Sequence, residues 1–137
     1  MLTEDAVIDA VAGHLRERGW EIVSRATAIQ RGDDLIAQRL NESLVIEAKG
    51  AGSSTAGTAR YGSPFNSGQV FDHVAQAVLK GLRVAAAGHL RPGIALPDDR
   101  YHRREVELVM PALARIEIVV FWMADDRTVN VEGHWRP

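Results

Sequence analysis

Asp33 and Asp34, then Glu47 and Lys49, are the residues of this 137-residue chain whose types and spacing suggest chemistry. The second pair interrupts an apolar run, LVIEAKG, at residues 44–50. Leu44, Val45 and Ile46 read as a buried strand, and unpaired charge in such a strand is costly. Alternate strand residues share a face, so Glu47 and Lys49 point the same way, roughly 7 Å apart. Asn41, Glu42 and Ser43 read as a hairpin turn between strands at 34–40 and 44–49. Folding back through that turn brings Asp34 to the Lys49 end of the neighbouring strand, on the same face. Two carboxylates so placed repel unless something positive sits between them. A divalent cation meets that need. All-oxygen ligands suit Mg²⁺, which keeps several waters and binds phosphate oxygens beside one or two carboxylates. A metal-bound water is more acidic, and a nearby ammonium can position it or stabilise charge developing on phosphate.

The elements that must hold these groups follow from periodicity. Residues 3–18 predict a helix, with Thr3 as cap, Glu4 and Asp5 at its positive end, and Gly19 as its stop. Trp20 to Ile29 predicts a first strand. Residues 51–68, rich in Gly, Ser, Thr and Ala, read as a long loop, either substrate-closing or a plain linker. Residues 68–86 predict a second helix and 93–97 a short buried strand. Residues 99–114 predict a helix that Pro111 kinks or shortens. Residues 116–123 and 129–135 predict the last two strands. The order α-β-β-β-α-β-α-β-β argues for one α/β domain over 1–137, a mixed sheet flanked by helices.

Composition bounds the partners. Hydrophobic residues make up 46% and charged residues 25%, an ordinary globular balance. No apolar run approaches membrane-span length, and the acidic start lacks a signal peptide's basic end, so a cytoplasmic protein is expected. The absence of cysteine excludes disulfides, thiolate zinc sites and cysteine nucleophiles. A net charge of −2 means that any nucleic acid must be held by a local patch. Of the 16 Lys+Arg residues only Lys49 and Lys80 are lysines. Lys49 therefore departs from the chain's own habit, and lysine is the cation whose pKa shifts readily and whose ammonium acts as a point charge.

RGDDLIAQ followed by LVIEAKG resembles the PD-(D/E)xK nuclease superfamily, with its restriction-endonuclease-like fold. That family's core, α-β-β-β-α-β, matches residues 3–97, and an α-β-β extension follows. The extension is similar to one found in bacterial members, and weakly similar to excision-controlling factors. The resemblance implies a Mg²⁺-dependent endonuclease acting on DNA, with Mn²⁺ as a substitute. It assigns catalysis to Asp34, Glu47 and Lys49, and metal binding to Asp34, Glu47 and the Ala48 carbonyl. Glu4, in the first helix, is a further candidate ligand, and Asp33 the alternative first acid. Gln69 and Gln76 are candidates for the family's helix glutamine. Arg60, Tyr61, Gln69, His73 and Lys80 are candidates for holding nucleic acid. A homodimer is the natural expectation for cutting two strands, with protein partners from a mobile-element or defence system. No proline precedes the first acid, a departure from the family pattern.

Other readings stand beside these. The chain could be a non-catalytic nucleic-acid-binding or regulatory subunit on the same fold. Glu47 and Lys49 could be a surface ion pair on an edge strand, and Asp33 and Asp34 plain turn residues. His14, His89, His102 and His134 lack metal-ligand spacing and read as structural. Trp20, Trp122 and Trp135 read as core. Arg100, Arg103 and Arg104 suit either phosphate or a solvated helix face.

Overall fold

A computed structural model describes residues 2–26, 32–52 and 64–137. Its ten elements run α1 (Glu4–Arg16), β1 (Glu21–Arg25), β2 (Leu35–Arg39), β3 (Glu42–Ala48), α2 (Ser67–Ala87), β4 (Arg91–Pro97), α3 (Arg100–Glu107), α4 (Met110–Arg115), β5 (Val119–Met123) and β6 (Val129–Glu132). The strands form a single mixed sheet in sequence order, β1 to β6. The β3–β4 and β4–β5 pairs are parallel and the rest antiparallel. Each parallel pair requires a crossover, which α2 supplies first and α3 with α4 second. No helix among the described residues is long and apolar enough to cross a membrane.

Helices cover both faces. On one, Val7, Ile8, Val11 and Leu15 of α1 pack on Leu35, Leu44, Ile46, Ala95 and Phe121. On the other, Val70, Val74 and Ala77 of α2 meet Ile94, Leu96, Val120 and Trp122, with Val106 of α3 and Leu113 of α4. Strand alternation sends Leu44, Ile46 and Ala48 towards α1. Glu47 therefore faces α2. That helix lies close to the sheet at Gly81, where an added Cβ would come within 3.2 Å of the Ile118 side chain.

Several expectations shift by a residue or more. The hairpin turn is Leu40–Asn41, with Leu40 at φ 54°, while Glu42 and Ser43 already belong to β3. The bulky residue that tolerates that φ is 98% exposed, so only backbone strain opposes it. Pro111 divides the expected third helix in two because it fits only a first turn, and it lies in the first turn of α4, after Met110. The α-β-β extension is thus α-α-β-β. Residues 27–29 of the expected first strand and 53–63 of the expected loop lie outside the described residues, as do Arg60 and Tyr61. On either side of 53–63 the chain is bridged, Gly52 to Pro64.

Candidate functional site

The β2–β3 register pairs Leu35 with Ile46, so the next position out sets Asp34 against Glu47. Both carboxyls are buried, at 8% and 6% exposure. Among the described residues the one other buried polar or charged side chain is His102. β3 lies between β2 and β4, which removes the edge-strand, surface-pair reading of Glu47 and Lys49.

The two acids are held differently. Asp34 Oδ2 accepts the Ala48 N–H at 2.8 Å, and the Asp34 carbonyl accepts the Ala26 N–H at 2.9 Å. Its carboxyl also hydrogen-bonds to that of Glu47. Burial pushes the Asp34 pKa up to about 7. The Ala48 N–H opposes that rise, while the neighbouring Glu47 and Glu4 add to it. Glu47 instead carries two ammoniums on Oε1: Lys80 Nζ at 2.8 Å and Lys49 Nζ at 3.4 Å. The hydrogen bond to Glu47 raises the Lys80 pKa. Lys49 Nζ also donates to Gln76 Oε1 at 3.3 Å.

Three segments meet here. Residues 47–49 leave the sheet after the Lys49 N–H donates to the Ala95 carbonyl at 3.0 Å. α2 supplies Gln76 and Lys80, one turn apart and so on one side of the helix. The start of α1 supplies Glu4. Burial raises the Glu4 pKa, Lys49 opposes the rise and Glu47 reinforces it. Gly50 permits this approach. A Cβ there would sit 2.6 Å from the Glu4 nitrogen, while the Ala51 N–H donates to the Leu2 carbonyl at 2.7 Å.

The predicted residues therefore divide. Asp34, Glu47, Ala48, Lys49 and Lys80 come together, with Glu4 beside them. Gln69 does not join them: it completes a capping box with Asn66 at the start of α2. His73 packs edge-on against Phe65, ring centres 4.3 Å apart. Asp33 is exposed. Arg103 is bound to Asp98 through two hydrogen bonds and lies over Trp122. Trp20 and Trp122 are buried in the core, and Trp135 packs against it. Sequence reasoning gave Lys80 no part in the acid cluster and Gly50 no part at all. The scarcity of lysine was the usable signal for the first, and the glycine closing LVIEAKG for the second.

The donors here are all oxygens, which suits a hard cation rather than a soft one. No group of three or more His, Asp or Glu among the described residues forms a metal cluster. An ion would therefore have two carboxylates and complete its shell with backbone carbonyl and water, a pattern Mg²⁺ accepts. The two acids, one of them hard to ionise beside the other, would both be satisfied by such a charge.

No protein-family profile matches the chain, and no curated protein matches it. Among solved structures it is similar to SfsA from Pyrococcus furiosus in complex with Ca²⁺, at 12% identity and a TM-score of 0.42. That likeness covers 95% of this chain and 59% of the SfsA chain.

Proposed function

We propose that this chain is a Mg²⁺-dependent endonuclease of restriction-endonuclease-like topology that hydrolyses DNA phosphodiester bonds. The observation that carries the reading is the opposed, buried pair Asp34 and Glu47 with Lys49 on the same face. Asp34 and Glu47 would hold the ion, with the Ala48 carbonyl as a third donor. A bound Mg²⁺ supplies Lewis acidity and a more acidic water. Lys49 orients the attacking water and neutralises charge on the phosphate. Gln76 holds the Lys49 ammonium in place. Lys80 occupies Glu47 in the absence of the ion and must release it or share it.

That last contact favours a second reading. Two ammoniums on Glu47 already form a satisfied charge cluster, which a non-catalytic DNA-binding or regulatory subunit would retain. Titration of Mn²⁺ and Mg²⁺ into the wild type and Glu47→Ala, with plasmid nicking on the same samples, separates the two. The nuclease reading expects binding and nicking that are both lost in Glu47→Ala. A wild type that binds DNA but neither metal, with DNA present or absent, supports the regulatory reading.

A further inference from the structure

Beyond the acid–lysine cluster, α2 presents an apolar face that neither sheet nor helix covers among the described residues. Five of the eight large hydrophobic side chains left exposed among the described residues meet there. Phe71 (56%), Leu79 (50%) and Leu82 (42%) line α2, and Leu108 and Val109 border it from the α3–α4 junction. Together they line a groove of about 370 Å³. A contiguous exposed apolar patch of this kind marks an interaction surface.

The charges beside the stripe say what covers it. Asp72 and Arg83 are exposed, and neither has an ion-pair partner among the described residues. They stand about three turns and about 16 Å apart on one flank of α2. In a two-fold pair of antiparallel helices each flank meets itself reversed. An axis near residues 77–78 sets Asp72 of one copy against the second copy's Arg83, and the reverse. The same axis brings Phe71 towards the second copy's Leu82, apolar on apolar. A parallel two-fold pair would instead set this flank against the opposite one, leaving Asp72 and Arg83 without each other.

We infer that the α2 face, with Asp72 and Arg83 on its flank, is the interface between two copies of this chain, packed as antiparallel helices. The interface stands independently of the proposed function. If that function holds, the pairing also turns both acid clusters to the same side, because Gln76 and Lys80 lie beyond the same flank.

Sedimentation equilibrium on the full chain tests this. The wild type is expected to be a dimer. Leu79→Lys, at a half-exposed position that leaves the core intact, is expected to be a folded monomer by circular dichroism. Arg83→Asp should raise the dimer dissociation constant at least about tenfold, and adding Asp72→Arg should restore it. The swap rescues the antiparallel two-fold pairing specifically. A monomeric wild type would leave the face to another polypeptide and overturn the inference. So would a dimer untouched by Leu79→Lys, or an Arg83→Asp defect that the swap fails to repair.

Discussion

Replacing Asp34 by Asn isolates the charge conflict at the centre of the site. The amide keeps the shape, can still accept the Ala48 N–H, and can donate to Glu47. What it cannot do is ionise. In the unfolded chain Asp34 titrates at its ordinary 3.8, whereas the folded protein holds the proton until about 7. The folded pKa is the higher one. The stability linked to this proton is therefore fully present below about pH 4 and lost as pH rises towards 7. A displacement of that size corresponds to at most about 4 kcal/mol. Water at the rim of the site discounts it, leaving about 2–4 kcal/mol.

In chelator-treated protein, Asp34→Asn should thus match the wild type near pH 4 and exceed it by about 2–4 kcal/mol at pH 8. Urea denaturation of both proteins across that range reads the difference directly, and all other titrating groups cancel to first order. In melting temperature the gap at pH 8 is about 8 °C or more for a domain of this size. A difference that stays constant with pH would refute the argument that Asp34 holds its proton because of burial beside Glu47. So would an Asn variant that is less stable than wild type at pH 8.

Other perturbations test neighbouring parts of the argument. Gly50→Ala drives a Cβ into the backbone of Leu2 to Glu4; it should cost about 1–3 kcal/mol and lower the melting temperature measurably. Lys80→Met removes the 2.8 Å contact on Glu47. The lysine side chain is 48% exposed, so stability should fall by under about 1 kcal/mol. Mn²⁺ affinity by calorimetry should rise, because Glu47 no longer has to exchange a partner. Asp99→Ala removes the acceptor for the Tyr101 and His102 N–H groups and for His102 Nδ1. It should cost about 2–3 kcal/mol by denaturation. Burial raises the Asp99 pKa, but its His102 hydrogen bonds outweigh that and leave it lowered. The variant's deficit should therefore shrink as pH falls below 4, where wild-type Asp99 also loses its charge.

The fold was legible in the sequence where apolar period and end signals agreed. α1 begins at Glu4, directly after its cap Thr3, and ends at Arg16, two residues short of the expected end, while α2 spans the predicted helix with one residue added at each end. The hairpin turn moved because Asn41, Glu42 and Ser43 have the composition of a turn, yet the pairing of Arg39 with Glu42 closes it earlier. No local propensity favours Leu40 at positive φ. Half of the site was legible as well. Alternation along β3 put Glu47 and Lys49 on one face, and the hairpin brought Asp34 to them. The other half depends on contacts between positions far apart in sequence. Lys80 reaches Glu47 across 33 residues and Gln76 reaches Lys49 across 27, and no periodicity within α2 announces either. Gln69 stands apart from the cluster for a local reason, since Asn66 three positions earlier engages it in a cap.

The cluster is hard to explain as a device for stability. A buried ion pair gains little over well-packed apolar groups, and an opposed pair of acids gains less. Among the described residues no ammonium pairs with Asp34, while Glu47, directly across the strands, carries two. A structural salt bridge needs only one acid and one base, so the second carboxyl raises the cost without improving the pairing. The surroundings could have avoided it: Leu35, Ile46 and Ala48, beside the two acids, are all buried and apolar. The chain also places Gly50 where any side chain would push the start of α1, and Glu4 with it, off this cluster. Local rules broken at one place, in a fold that otherwise keeps them, point to a selected task at that place. On the function proposed above, the groups assembled there, two opposed carboxyls and a lysine on one face, would serve a doubly charged cation and a phosphate.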